Sequence, residues 1–91
     1  MKEELFKDPR LWLDDINPLI REDERQVKKW GIQSVTLFEW LAYLTEEIGE
    51  LAEAILEYTN GDGKSEEIMN EAIQAATLAL KIAKMAEGVR E

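Results

Sequence analysis

The most regular pattern of apolar positions in this chain runs through residues 36–58. Apolar side chains recur there every three or four residues, at Leu37, Leu41, Leu44, Ile48, Leu51, Ile55 and Tyr58. This spacing is typical of one side of an α-helix. Thr36 followed by Glu39 is the signature of a capping box, so the helix is expected to begin there. The pattern therefore predicts one long amphipathic helix without a break.

A second long helix is predicted after a turn at residues 60–64, where the sequence reads Asn-Gly-Asp-Gly-Lys. Ser65 is expected to cap it, and Glu66 and Glu67 suit its positive first turn. The helix should run to about Gly88. Apolar residues cover more than half of its circumference, centred on Ile68, Ala72, Ala75, Ala76, Ala79, Ile82, Ala83 and Ala86. Because the turn is short, the two long helices should lie antiparallel.

The N-terminal third predicts two shorter helices. Asp8 with Pro9 favours a helix start, and so does Asn17 with Pro18, while Gly31 favours a helix end. No segment alternates with a period of two, as a strand would. The predicted fold is therefore all-α: an antiparallel helical hairpin with the short N-terminal helices packed across it. We expect a single domain over residues 1–91, with a core at about 18–88 and an N-terminal extension, 1–17, that carries a short helix.

Charge and composition restrict the function. The chain has 91 residues, a net charge of −9, and neither cysteine nor histidine. Thiol nucleophiles, imidazole bases and the usual zinc sites are thus excluded, and any metal must be a hard cation held by oxygen. The negative charge disfavours nucleic acid as a partner. No apolar run is long enough to span a membrane, and the charged N-terminus does not resemble a signal peptide, so a cytoplasmic location is expected.

The glutamates of the first long helix fall into two groups around its axis. Glu39, Glu46, Glu53 and Glu57 lie nearly opposite the apolar line, where solvent is expected. Glu47 and Glu50 instead share a stripe with Trp40, Tyr43 and Ala54, at the border of the apolar line. Two carboxylates three residues apart project from the same side of a helix, close enough to bind one cation or two adjacent ones.

The last helix places a second pair of oxygen-bearing side chains near the first. Glu71 borders the apolar arc and Gln74 lies one turn further on. In the predicted hairpin Glu50 should lie level with Gln74, with Glu71 nearby. Spacing alone leaves three alternatives for this cluster: a metal site, a buried polar network, or a repulsion relieved by protonation.

Two motifs resemble a known family. The sequence Glu-Glu-Ile-Gly-Glu at 46–50, followed by Glu-Ala-Ile-Gln-Ala-Ala at 71–76, is similar to the Glu-x-x-Glu and Glu-x-x-Asp helices of the MazG-like, all-α nucleoside triphosphate pyrophosphohydrolases. The upstream segment 21–33 also resembles the Gln and Lys-Trp-Gly pattern of short members. The resemblance covers about residues 20–87.

The resemblance implies an enzyme that cleaves a nucleoside triphosphate to the monophosphate and pyrophosphate. It implies that Glu47, Glu50 and Glu71 are the catalytic metal ligands, with Gln74 as an auxiliary ligand, and that the cofactor is Mg²⁺, with Mn²⁺ as the alternative. Mg²⁺ suits such a site because it accepts carboxylates, water and phosphate oxygens and lowers the pKa of bound water. The substrate-binding residues expected from the resemblance and from the neighbouring aromatic positions are Gln26, Lys28, Trp30, Trp40 and Tyr43.

Gln74 departs from the family pattern, which normally has Asp at this position. An amide oxygen can still bind Mg²⁺, but one negative charge is lost, which weakens the attraction for a second ion. The change fits a subgroup of the family or a slower, one-metal enzyme. It also fits an alternative function, a non-catalytic dimeric helical module that binds a nucleotide or a protein.

Basic and aromatic residues near the site have two interpretations each. Arg21, Arg25, Lys28 and Lys29 lie on one predicted helix and could form a phosphate clamp. Arg21 and Arg25 could instead pair with the neighbouring acidic residues, 22–24. Trp30, Trp40 and Tyr43 could stack on a base, although aromatic residues at helical spacing also commonly belong to a core.

The apolar arc of the last helix predicts self-association. One hairpin partner cannot cover a helix that is apolar over more than half of its surface, so a second copy should pack against it. The family resemblance implies the same, because its members pair hairpins into a four-helix bundle. We therefore expect a homodimer or a higher homo-oligomer.

Overall fold

The computed structural model describes residues 6–13, 15–31 and 36–89. It contains four helices: α1 (Pro9–Trp12), α2 (Asn17–Trp30), α3 (Leu37–Thr59) and α4 (Ser65–Val89). These described residues form no strand, which confirms the all-α prediction. None of the described helices is both long enough and apolar enough to cross a membrane.

Two of the predicted helix starts are confirmed by their capping hydrogen bonds. The Asp8 carboxylate accepts from the backbone N–H of Arg10 at 3.0 Å at the start of α1. At the start of α3, Thr36 Oγ1 accepts from the Glu39 N–H at 3.1 Å, and the Glu39 carboxylate accepts from the Thr36 N–H at 2.8 Å. The first N–H groups of these helices, which have no partner within the helix, are thus satisfied by side chains.

The prediction that Asn17 caps α2 is wrong. Asn17 is the first residue of the helix, Ile16 occupies the capping position, and no side chain bonds there as a cap. The Asp15 carboxylate accepts from the Asn17 N–H at 3.0 Å instead. Likewise Ser65, expected as a cap, is the first residue of α4. Gly31 ends α2 as predicted, with φ of 77°, a conformation that glycine adopts without strain.

The turn between α3 and α4 folds back tightly on the last turn of α3. The N–H groups of Asp62 and Gly63 both donate to the Glu57 carbonyl, at 3.0 and 3.1 Å. A Cβ atom on Gly63 would lie 3.0 Å from the Tyr58 backbone nitrogen, so the close approach needs glycine. The chain reverses beside Glu57, and this reversal sets the register of α4 against α3.

α4 is the central helix of the fold. It packs against α3 along the hairpin and against α2 on another side, which confirms the predicted hairpin and the packing of α2 across it. α1 packs against none of the other described helices. The prediction that both N-terminal helices lie across the hairpin is therefore wrong for α1, because a single helical turn has little surface to bury.

The interior of the hairpin differs from the apolar line seen in the sequence. The buried apolar side chains are Trp40 and Ala54 of α3 and Ala75 and Leu78 of α4. Along the apolar line, Leu44 and Leu51 are half-buried, and the other members are exposed: Leu37, Leu41, Ile48, Ile55 and Tyr58. The second stripe, which carries Glu47, is thus the one that faces α4 and α2.

The apolar arc predicted for α4 is also only partly buried. Ala75 is buried and Ile68, Ala72 and Ile82 are half-buried, whereas the remaining alanines of the arc are exposed: Ala76, Ala79, Ala83 and Ala86. α4 contacts its neighbours with a side that includes Glu71, Gln74 and Leu78. A substantial apolar surface therefore remains open on both long helices.

Candidate metal centre and cleft

Three carboxylates from two helices converge at the hairpin, where Glu47 and Glu71 are half-buried and Glu50 is exposed. Glu47 and Glu50 lie one turn apart on α3, and Glu71 comes from the facing part of α4. One oxygen from each lies within 4.8 Å of one from each of the others. The structure thus brings together the three residues expected to hold a metal. A helical wheel of α3 alone could not show that Glu71 of α4 lies beside the other two.

Gln74 completes the cluster, but in a different register from the one predicted. With its amide nitrogen turned toward Glu47, it donates to both oxygens of that carboxylate, at 3.1 and 3.3 Å. Gln74 therefore lies against Glu47, one turn earlier in α3 than the expected Glu50. The tight reversal at Glu57 explains this shift, because it starts α4 further back along α3 than a wide turn would.

Ionisation of all three carboxyl groups at the same time is strongly unfavourable. Burial raises the pKa of Glu47 to about 8, with further contributions from hydrogen bonds to Glu71 and Glu50 and from their charges. A carboxyl group bonds another carboxylate only by carrying a proton. At neutral pH, and without a cation, a proton on Glu47 therefore relieves the repulsion.

One oxygen of the cluster lacks a donor when all three carboxyls are ionised. Glu71 Oε1 is buried and accepts no hydrogen bond from the described residues. Buried polar atoms without a partner are rare because each costs free energy. A hard cation would satisfy this atom and the Glu47 carboxylate together, and an all-oxygen donor set of three carboxylates fits Mg²⁺ or Mn²⁺. Gln74 would add a fourth oxygen only with its amide reversed, so that the oxygen replaces the nitrogen beside Glu47.

The cluster opens into a cleft of about 680 Å³ between α2, α3 and α4. Glu47, Glu50 and Gln74 line one end of it, and Trp40 and Lys81 line the other. The remaining residues of its wall are Asp23, Gln26, Val27, Gly31, Tyr43, Glu46 and Leu78. A cleft of this size is typical of a small-molecule site.

Two of the three aromatic residues expected to meet a substrate, Trp40 and Tyr43, line this cleft. Trp40 is buried and Tyr43 is half-buried, and their rings meet edge to face with centroids 5.9 Å apart. Trp40 is therefore both a core residue and part of the cleft wall, so the two sequence interpretations of this residue are compatible.

Gln26 lies in the cleft wall and hydrogen-bonds to two charged side chains. Its Oε1 accepts from Lys81 Nζ at 2.7 Å, and its Nε2 donates to Glu22 at 2.8 Å. Burial opposes ionisation of Glu22, but the hydrogen bonds from Arg25 and Gln26 outweigh it and lower the Glu22 pKa. Gln26 therefore ties α2 to α4, a role distinct from the predicted contact with a substrate.

Lys81 is the cleft residue that sequence reasoning missed. Besides its bond to Gln26, its ammonium group pairs with Asp23 at 2.9 Å and lies 5.3 Å from the centroid of the Trp40 ring. A heptad relation could have indicated it. Trp40 precedes Glu47 by seven residues and Lys81 follows Gln74 by seven, so in an antiparallel pair the contact of Glu47 with Gln74 places Trp40 beside Lys81.

The arginines of α2 lie around a second cavity, of about 550 Å³, beside Gln74. Arg21 and Arg25 both line it. Arg25 makes two hydrogen bonds to the Glu22 carboxylate, at 2.9 and 2.7 Å, so the ion-pair interpretation is confirmed for Arg25. The Glu22 carboxylate raises the pKa of Arg25, and the charges of Glu47 and Glu71 act in the same direction.

The remaining predicted residues lie outside the cleft or outside the described side chains. Lys28 and Lys29 are exposed, and neither is among the residues that line the cleft. Trp30 is the last residue of α2, and its side chain lies outside the described part of the chain. Glu39, Glu46, Glu53 and Glu57 are exposed as predicted, but Glu46 also borders the cleft.

Comparison of the chain with protein-family models, with curated proteins and with solved structures gave no match.

Proposed function

We propose that this protein is a divalent-metal-dependent hydrolase of the MazG-like type that cleaves a nucleoside triphosphate to the monophosphate and pyrophosphate. The carboxylate cluster is the observation that carries the proposal. Glu47 and Glu50 line one end of a cleft, Glu71 lies against them, and a buried Glu71 oxygen has no donor when all three carboxyls are ionised. A proton on Glu47 or a bound cation would relieve the repulsion in this cluster, and a cation would do so with all three carboxyls ionised.

The two ends of the cleft have different proposed roles: one would hold the metal ion, and the other would contact the rest of the nucleotide. The three carboxylates would hold Mg²⁺, joined by the Gln74 oxygen once that amide is reversed, and the bound ion would neutralise phosphate charge and acidify a water molecule. Trp40 and Tyr43 provide an aromatic wall beside this site. No histidine or cysteine is needed for this chemistry, which agrees with a chain that has neither.

The charge of the cluster suits one ion better than two. Glu47, Glu50 and Glu71 bring three negative charges, while Gln74 brings none where the family pattern has Asp. Mg²⁺ commonly uses one or two carboxylates and takes its other ligands from water and phosphate. We therefore propose one resident ion, with any second ion arriving together with the triphosphate.

The working form is proposed to be a homodimer in which two hairpins form a four-helix bundle. The apolar line of α3 supports this proposal, because Leu41, Ile48 and Ile55 are all exposed on the isolated chain. They lie about 100° around α3 from Trp40, Glu47 and Ala54, the stripe that faces α4. A partner on this side would cover apolar surface without using the stripe that carries the cleft.

A second candidate function is a non-catalytic helical module that binds a nucleotide. Gln74 favours it, because a neutral amide in place of a carboxylate lowers the charge that holds a metal. Both candidates use the same cleft and differ in turnover.

The test is release of pyrophosphate from a panel of ribonucleoside and deoxyribonucleoside triphosphates, with Mg²⁺, with Mn²⁺ and with EDTA. The proposed enzyme releases pyrophosphate from at least one of them, and EDTA stops the release. Metal-dependent binding without release would select the non-catalytic module. Absence of both binding and release would contradict both functions.

A further inference from the structure

The facing side chains of α3 and α4 form successive rungs along the cleft. Glu50 faces Glu71, and Glu47 faces Gln74. One turn further from the cluster, Tyr43 and Leu78 line the cleft, and beyond them Lys81 lies over the Trp40 ring. The rungs thus change from carboxylates to an apolar pair and then to a cation held against an aromatic face.

The spacing of these rungs fits a nucleoside whose phosphates lie at the carboxylates. Seven residues separate Glu47 from Trp40, which on a helix is about 10 Å. This distance is roughly the span from the first phosphorus of a nucleotide to the far edge of its base. The apolar rung then lies beside the sugar, and Lys81 lies at the edge of the base.

Lys81 is held firmly and retains donor capacity. An ammonium group has three N–H donors, and Gln26 and Asp23 accept two of them, at 2.7 and 2.9 Å. The third N–H of Lys81 is available to a ligand, since Lys81 lines the cleft. Asp23, beside it, offers carboxylate oxygens that can accept from a base N–H. Every common base carries an acceptor next to a donor on its pairing edge, which matches this arrangement.

We propose that Lys81, positioned by Gln26 and Asp23 over Trp40, binds the edge of a nucleobase in the cleft. The inference rests on the proposed function, since it takes the phosphates to lie at the carboxylate cluster. Lys81 then acts in substrate selection and not in hydrolysis. Gln26 is a positioning residue that acts through Lys81.

The matched variants are Lys81→Met and Lys84→Met. Both remove an ammonium from α4 and leave a chain of similar length, but Lys84 is exposed and pairs with Glu87. Lys81→Arg keeps the charge and the donors, so it keeps the proposal testable even where Lys81→Met does not fold. Circular dichroism before each titration establishes that the variant is folded.

The experiment measures equilibrium binding of α,β-methylene analogues of ATP, GTP, CTP and UTP, with Mg²⁺, by calorimetry. Inorganic tripolyphosphate is the ligand without a base. The methylene group replaces the oxygen between the first two phosphates, so pyrophosphate cannot be released during the titration. Binding to the base and binding to the phosphates are thereby measured separately.

We expect the wild type to bind at least one analogue more tightly than tripolyphosphate. Lys81→Met should weaken that analogue about tenfold or more and leave tripolyphosphate unchanged, because one charge-assisted hydrogen bond is lost. Lys81→Arg should recover part of the affinity, and Lys84→Met should match the wild type.

Three results would overturn the inference while the proposed function stands. They are equal weakening of tripolyphosphate and analogue by Lys81→Met, no effect of Lys81→Met on either ligand, and a wild type that binds tripolyphosphate as tightly as every analogue. A wild type that binds none of these ligands with Mg²⁺ would contradict the proposed function itself, and this inference with it.

Discussion

Two neighbouring stripes of α3 differ in their surroundings: the inner stripe faces the other helices of the chain, and the outer stripe is exposed. Trp40, Glu47 and Ala54 face the other helices, although one of them is a carboxylate. The next residue after each, Leu41, Ile48 and Ile55, is apolar and exposed. An apolar stripe left outside and a carboxylate held among buried side chains are both unfavourable in an isolated chain. In the proposed function the inner stripe would meet a cation and the outer stripe would meet a second hairpin.

The largest effect is expected on turnover, from a change within the inner side of the hairpin. Glu50→Gln keeps the shape of the side chain but removes one charge from the cluster, so hydrolysis should fall about a hundredfold or more. Pyrophosphate release at saturating Mg²⁺ measures it. Glu53→Gln makes the same change at an exposed position of α3 outside the cluster and should leave the rate unchanged. Equal rates for both variants would show that the cluster does not serve catalysis.

A change on the outer stripe should affect association and not the cleft. Ile48→Glu places a charge in the proposed dimer contact, where burial without a partner is costly. We expect dissociation to monomers at micromolar concentration, measured by sedimentation velocity, with the helical content preserved. Glu53→Lys, an exposed charge change on α3, should remain dimeric. A wild type that is already monomeric at that concentration would contradict the proposed dimer contact at the exposed stripe.

The inner stripe should also make stability depend on pH. The pKa of Glu47 is raised to about 8 from an ordinary value of 4.5, so between these values the folded chain binds a proton that the unfolded chain has released. The free energy of unfolding of the metal-free protein should therefore fall as pH rises from about 4.5 to 8. Glu47→Gln should flatten this slope and raise the melting temperature at pH 8. Thermal melts with EDTA at several pH values measure both effects.

Mg²⁺ should counteract this fall in stability with pH in the wild type. A cation competes with the proton on Glu47, so the rise in melting temperature on adding Mg²⁺ should be larger at pH 8 than at pH 5. Glu53→Gln should behave as the wild type in these melts. An equal shift at both pH values would indicate that the ion binds away from Glu47.

The smallest effects are expected from two glycines, with opposite signs. Gly63→Ala should destabilise the fold by about 1–3 kcal/mol, because the new Cβ meets the Tyr58 backbone nitrogen at 3.0 Å in the turn that sets the register of the rungs. Gly49→Ala should stabilise α3 by about 0.5–1 kcal/mol, since nothing lies within 4 Å of its Cβ and alanine favours a helix. Urea unfolding curves give both values, and destabilisation of similar size by both would contradict this assignment of the turn.

The helices were predictable because their signals are local. The capping box at Thr36, the Asp8 cap and the glycine at 31 act within one turn of chain, and all three were found where expected. The start of α2 was predicted one residue late, because Asn17 is already the first helical residue and its N–H donates to the Asp15 carboxylate.

The partition of α3 into inside and outside was less predictable, for a physical reason. A helical wheel identifies the most apolar side, but not whether that side meets the same chain or another one. Glu47 and Glu50 could be separated from the solvent-facing glutamates because they share a stripe with Trp40 and Ala54. Their approach to Glu71 required the register, which the hydrogen bonds of Asp62 and Gly63 to Glu57 determine.

The most direct test is calorimetric titration of the protein with Mn²⁺ at pH 8, without nucleotide, for the wild type, Glu71→Gln and Glu53→Gln. We predict saturable binding of at least one ion per chain to the wild type and to Glu53→Gln, and a loss of affinity of about tenfold or more in Glu71→Gln. Equal affinity of the wild type and Glu71→Gln, or no binding to the wild type, would contradict a metal centre between α3 and α4.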